Sequence, residues 1–228
     1  MLHQFIFAVP KPGKTKEEFQ EYWVKTHAVK FASKIPEIKR YIIDSRIPFG
    51  GDMGKPPLRH EGIAEIWFAN EEKRLASLQT DEFLQARQDE PNWAAFWETI
   101  ILNTTDHEVL AGPPLTKNPT WVKLTILLKR KPGMLLDAYR QQSLESCKRI
   151  AARLAALRRC LHCPTRKESY IFGEANFDSV EQFWFDDIDA LKAALASPDF
   201  AAWVKLARDT IVDPKYVFSL VAKEDWII

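Results

Sequence analysis

The chain is poor in the features that place a protein quickly. It has three cysteines in 228 residues, an odd number without disulfide-dense spacing, as suits a reducing compartment. No stretch approaches the roughly 18 consecutive apolar residues of a membrane-spanning helix. The opening MLHQFIFAVPKPG has no charged leading segment, and its apolar run is too short for a secretory signal. An excess of charge of one sign is missing as well: 32 Lys and Arg against 31 Asp and Glu leave a net +1. That balance gives no electrostatic basis for binding nucleic acid or an anionic membrane. The basic run around Lys148, Arg149, Arg153, Arg158 and Arg159 reads as a solvated helix face. P-loop, dinucleotide glycine fingerprint, H-E-x-x-H and G-x-S-x-G are all absent. CLHC, residues 160 to 163, has no second ligand pair, and strand geometry puts Cys160 and Cys163 on opposite faces, which does not suit a zinc site. Cys160 and His162 share a face that Cys147 can approach, and the three thiols read as buried and free. These absences lead to the expectation of a cytoplasmic protein with no metal, no cofactor, and neither nucleic acid nor membrane as partner.

Apolar and aromatic material, in contrast, is plentiful: 46% of residues are hydrophobic, 12% are aromatic and eight are Trp, enough for a large core. It is also arranged twice. FIFAVPKPGKTKEEFQEYW is similar to LTILLKRKPGMLLDAYRQQS, with Pro12-Gly13 lying 120 residues before Pro132-Gly133. HEGIAEIWFANEEKRLASLQTDEF is similar to FDSVEQFWFDDIDALKAALASPDF, with Trp67-Phe68 lying 117 residues before Trp184-Phe185. Two units are therefore expected, residues 1–112 and 113–228, joined by the Pro/Gly-rich LAGPPLTKNPTW.

Each unit reads as β-α-β-β-α-β. In the first, strands are expected at 3–9, 40–47 and 61–69, with a last one inside ILNTTDHEVLA, and helices at 15–33 and 71–78. TDEFLQARQDEPNWAAFWETI reads as helix broken at Pro91. This split βαβ order makes a four-stranded antiparallel sheet with helices on one face. Its strands carry large apolar residues on both faces, so the bare face needs a cover. A second copy would supply it. The expected fold class is α+β: two ferredoxin-like βαββαβ units packed sheet to sheet as an intrachain dimeric α/β-barrel.

Candidate chemistry gathers in FQEYWVKTH, residues 19 to 27. Trp23 and His27 share a helix face by i, i+4 spacing, with Phe19 and Phe31 on neighbouring rows. An imidazole among aromatics is desolvated and held neutral, the form a general base requires; a packed structural histidine is the other reading. On the strand, Glu65 stands between Ile63 and Trp67 by period two, either orienting His27, acting as an acid, or lying exposed at the rim. The second copy has Gln142, Ser143 and Cys147 where the first has Tyr22, Trp23 and His27, and Gln182 in place of Glu65. The functional positions changed while the Trp-Phe pair stayed.

FQEYWVKTHAVKFASKIPEIKRYIID and HEGIAEIWF resemble the EthD family, through F-x-x-Y-W-x-x-x-H, then Pro, then Arg-Tyr, then Ala-Glu before Trp-Phe. The second half keeps only the outline. The resemblance implies a dimeric α/β-barrel, a family of mostly cofactor-free proteins, and the family's His and Glu at His27 and Glu65. The expected function is a cofactor-free lyase or isomerase on a small hydrophobic, aromatic or polyketide-like molecule, with self-association of the pseudo-dimer open. His27, Glu65 and Tyr22 are the expected catalytic residues, Tyr22 as a candidate oxyanion donor. Trp23, Trp67 and Phe31 are expected to line the substrate site, and the loop from Phe49 to Pro57 to close over it. A non-catalytic binder of small molecules and a cofactor-independent or haem-type monooxygenase are the alternatives.

Overall fold

The computed structural model describes residues 1–113 and 119–228; the middle of the expected linker, 114–118, lies outside the described residues. The chain divides into two compact units. The first comprises Met1–Arg46, Arg59–Thr104 and Glu224–Ile228, the second Ile47–Leu58 and Thr105–Lys223. The fold is mixed α/β, with antiparallel strands in each unit.

The first unit opens with β1 (Leu2–Ala8), whose alternating residues supply one side chain to each face. A Lys-Pro-Gly turn follows, with Gly13 at φ 90°, in the left-handed region that only glycine enters cheaply. Thr15 then starts a helix with a reciprocal capping box: its hydroxyl accepts from the Glu18 N–H and its own N–H donates to the Glu18 carboxylate, at 3.1 and 2.9 Å. The helix expected over 15–33 begins there but is not uniform. It runs as α1 (Lys16–Tyr22), one π-helical turn (Trp23–His27), α2 (Ala28–Lys30) and a 3-10 turn.

β2 (Ile38–Arg46) and β3 (Gly62–Phe68) follow, then α3 (Glu71–Ser77) and α4 (Asp81–Asp89), capped by Asn70 and Thr80, and β4 (Ile100–Thr104). The strand order is β4-β1-β3-β2, with Leu2 opposite Phe68 and Ala8 opposite Gly62. Pro91 ends α4: it has no N–H to continue the helix, and its ring clashes with the carbonyl four residues back. The core between sheet and helices holds Phe19, Trp23, Tyr41, Ala64, Ile66, Phe68 and Trp93.

ILNTTDHEVLA makes two strands rather than one. β5 (His107–Leu110) belongs to the second unit, where it pairs with β7 (Arg159–Pro164). That unit runs β6 (Val122–Arg130), α5 (Leu136–Ala151), β7, β8 (Ser179–Phe185), α6 (Ile188–Leu195), α7 (Pro198–Thr210) and β9 (Val212–Trp226). Its Lys-Pro-Gly turn repeats the left-handed glycine, Gly133 at φ 81°.

The segment 47–58 belongs to this second unit. Ile47 N–H donates to the Val221 carbonyl, and Met53 N–H to the Ser219 hydroxyl at 2.7 Å. No helix among the described residues is long and apolar enough to cross a membrane.

Candidate functional site

The π turn is where the site begins. The Ala28 N–H reaches back five residues to the Trp23 carbonyl, which widens the turn and keeps Trp23 and His27 on one inward face; both are buried. Such one-residue bulges are costly in an otherwise regular helix and recur at functional positions. From here the Trp23 indole N–H donates to the Tyr41 hydroxyl at 3.2 Å. The His27 ring packs 4.8 Å from the Trp93 ring, which lies 4.8 Å from Trp23.

Asp89, at the end of α4, meets this histidine from across the core. His27 Nδ1 is 2.9 Å from Asp89 Oδ2. The other carboxylate oxygen accepts from the Tyr22 hydroxyl at 2.8 Å and from the Asn92 amide at 2.9 Å. Burial pushes the Asp89 carboxyl up, but the hydrogen bonds from Asn92, His27 and Tyr22 outweigh it and hold the group below its ordinary value. Asp89 is therefore ionised at neutral pH and can only accept. Nδ1 must carry the imidazole proton. Burial lowers the His27 pKa, against the opposing pull of Asp89, so the ring is neutral at pH 7 with its lone pair on Nε2. Nε2 has no protein partner among the described residues.

A cavity of about 80 Å³ has His27 in its wall. Ile6, Ile35, Ile38, Ile66, Phe68 and Phe83 form apolar walls, while His27, Tyr41, Gln4, Arg87 and Glu90 bring polar atoms. In the same measure, apolar cavities of roughly 150 Å³ accommodate benzene; in this conformation the space suits a molecule of few heavy atoms.

Four sequence expectations are corrected. Glu65 does not orient His27. Period two along β3 sends Ala64, Ile66 and Phe68 toward the helices and Glu65 to the opposite face, where its carboxylate lies 2.9 Å from His3 Nε2. There it also joins Asp44 and Glu224, whose carboxylate oxygens with its own lie within 4.8 Å of one another. Trp67 goes the same way, stacked on His3 at 3.8 Å with the Arg40 guanidinium 3.5 Å above it, and lines no part of the cavity. Phe31 is 6.2 Å from His27 ring to ring but outside the cavity wall, because the helix ends at Lys30 and the Phe31 backbone turns away (φ −121°, ψ −69°). The loop from Phe49 to Pro57 contributes no wall residue; Phe49 and Met53 pack on the second unit's core.

The structure places Tyr22 on Asp89 rather than in the cavity, and Trp23 and His27 in the cavity wall. Asp89, Tyr41, Trp93 and Glu90 carried no sequence expectation. Asp89's one signal was its place just before Glu90-Pro91, the point where a helix must stop; nothing local ties it to a histidine 62 residues away.

Residues 11–96 match the EthD domain family. The EthD match thus takes in both His27 and Asp89 and lies within the first half of the chain. Among solved structures, an "anthrone oxidase-like protein" aligns with a TM-score of 0.67 at 12% identity, over 99% of this chain and 92% of its own. A "Putative monooxygenase" of Fusobacterium nucleatum subsp. nucleatum aligns with a TM-score of 0.60 at 12% identity, over 99% and 93%. A "putative monooxygenase" of Lactobacillus acidophilus aligns with a TM-score of 0.55 at 12% identity, over 99% and 96%. At such identities the likeness is one of fold. No curated protein matches the chain significantly.

Proposed function

We propose that the EthD domain is a cofactor-free enzyme of lyase or isomerase type, acting on a small hydrophobic carbonyl compound. His27 Nε2 removes a proton from the carbon beside the carbonyl. Asp89 fixes the tautomer and orientation of the ring and stabilises the imidazolium that forms, and Tyr22 and Asn92 hold Asp89 in turn. The observation that carries this reading is a histidine in the wall of a cavity whose Nδ1 is bonded to an ionised carboxylate and whose Nε2 has no protein partner among the described residues. A histidine kept only for packing needs neither the cavity nor the free nitrogen. Trp23, Trp93 and the isoleucines supply the apolar walls that exclude water and strengthen charge interactions in the cavity. The reading places one site per chain, in the first unit, in a protein of the cytoplasm.

The test is exchange of the carbonyl-adjacent protons of butan-2-one in D2O, followed by NMR. The protein should accelerate it, and His27→Gln should lose roughly 10²-fold or more of that acceleration. A His27→Gln protein that exchanges at the full rate would rule out the assignment of the base.

Oxygenation is a second reading with a specific motive, the likeness in fold to a "Putative monooxygenase" and to an "anthrone oxidase-like protein". It uses the same proton abstraction, with the resulting carbanion consumed by O2 instead of by elimination or a double-bond shift. Oxygen uptake in step with turnover would select it.

A further inference from the structure

The cavity holds a second acid–base group that the base reading leaves idle. Asp89 and Glu90 are neighbours at the end of α4, yet they face different partners. Asp89 turns to His27, while Glu90 lines the cavity together with Arg87, whose Nη1 lies 2.6 Å from Glu90 Oε2. The pair is lopsided: the Glu90 side chain is 10% exposed and the Arg87 side chain 45%. The carboxyl is thus inside and its counter-ion sits at the mouth, with the guanidinium 4.6 Å over another wall residue, Phe96. Burying a carboxyl beside an apolar cavity is unfavourable when the group only packs, and a wall residue need not be an acid.

We propose that Glu90 is the proton donor of this cavity, that Arg87 positions it, and that the substrate is a small β-hydroxy carbonyl compound that loses water. This rests on the base reading above. His27 Nε2 takes the proton next to the carbonyl, and the C–H electron pair passes into the enolate. The enolate re-forms the carbonyl as the C–O bond at the β-carbon breaks, and the Glu90 O–H delivers its proton to the departing oxygen. The products are an enone and one water, and the active site is left with an imidazolium and a carboxylate that exchange protons with solvent to reset. Elimination of a hydroxyl needs a base at one end of the substrate and an acid at the other, and His27 and Glu90 line the same space of about 80 Å³.

The protonation states agree. Burial pushes the Glu90 carboxyl up to about 7, against the pull of Arg87 and helped by the neighbouring Asp89 charge, while burial lowers His27. Below about pH 7 and above the His27 value, acid and base are both in the form the reaction needs.

The probes are butan-2-one for exchange and 4-hydroxybutan-2-one for dehydration to the enone, each followed by NMR across pH 5 to 9. The wild-type protein should catalyse both. Glu90→Gln should lose roughly 10²-fold more of dehydration than of exchange, with the circular dichroism of the folded protein retained. Arg87→Gln removes the charge that lowers Glu90, so the alkaline limb of dehydration should move to higher pH, a shift that a merely structural Arg87 would not produce. Glu90→Gln protein that dehydrates at the wild-type rate, or wild-type protein that exchanges but does not dehydrate, overturns this inference and leaves the base reading standing. Wild-type protein that catalyses no exchange overturns both.

Discussion

Besides His3 with Glu65, each unit has a buried histidine held through Nδ1 by a carboxylate, and these two Nδ1 pairs differ in what the second ring nitrogen does. In the first unit His27 meets Asp89 at 2.9 Å through Nδ1 and lines a cavity, and its Nε2 has no protein partner among the described residues. In the second, His162 on β7 meets Glu181 on β8 at 2.7 Å, both side chains 1% exposed, and its Nε2 lies 3.5 Å from the Ser143 hydroxyl. Glu181 continues to Ser179, and Ser179 to Tyr139. That ring is enclosed by partners on both sides. The α5 position 120 residues after His27 is Cys147, whose sulfur lies 3.3 Å from that of Cys160. A close histidine–carboxylate pair is therefore not in itself a sign of catalysis; a nitrogen without a protein partner, on a residue lining a cavity, is what the proposed base has and His162 lacks.

The comparison can be broken most sharply by matched substitutions. His27→Gln should remove roughly 10²-fold or more of the proton exchange while changing the urea midpoint little. His162→Ala should do the reverse. It leaves Glu181 buried without its partner, at a cost of about 3 kcal/mol or more, and the protein that remains folded should exchange at the wild-type rate. If His162→Ala abolished exchange in folded protein, the division of labour would be wrong.

Next in size is Asp89→Asn, expected to slow exchange about ten- to a hundredfold because the ring tautomer is no longer fixed. The His27 imidazolium also loses its neighbouring charge, so the acid limb of the rate profile should move to lower pH. An unmoved limb would mean that Asp89 is not coupled to the base.

Glu90 gives a smaller effect, in stability. Its folded pKa of about 7 lies above the unfolded value, so the folded state binds the extra proton as pH falls through 7, and Glu90's unfavourable contribution is largest above that pH. Glu90→Gln should raise the unfolding free energy from urea titration at pH 8 by an amount on the order of 1 kcal/mol and have little effect at pH 4. Equal effects at both would mean that the carboxyl titrates normally. Least of all, Cys147→Ala should cost about 1 kcal/mol through lost packing and leave exchange untouched.

The fold was largely legible because its signals are local. The two Lys-Pro-Gly turns, the helix break at Pro91 and the period-two strands each act within a few residues. The site was half legible. The i, i+4 relation puts Trp23 and His27 together without any knowledge of the rest of the chain. Glu65 and Trp67 misled because β3 is buried along its whole length: period two separates its faces but does not say which one the helices cover. Asp89 could not be read at all, since its meeting with His27 is made by the packing of α4 on the helical segment that carries the histidine.

The π turn carries a consequence for how the domain tolerates insertions and deletions. Removing one residue from Val24–Thr26 would return the segment to a regular α-helix with a full set of four-back hydrogen bonds. Because the π turn holds one residue more than an α turn, the deletion would take out the surplus residue while the residues on either side keep nearly the same bearing. The deletion should therefore give a more regular helix with His27 still turned toward Asp89. A length change that would swing every later side chain of an ordinary helix to a new face is one this turn can absorb.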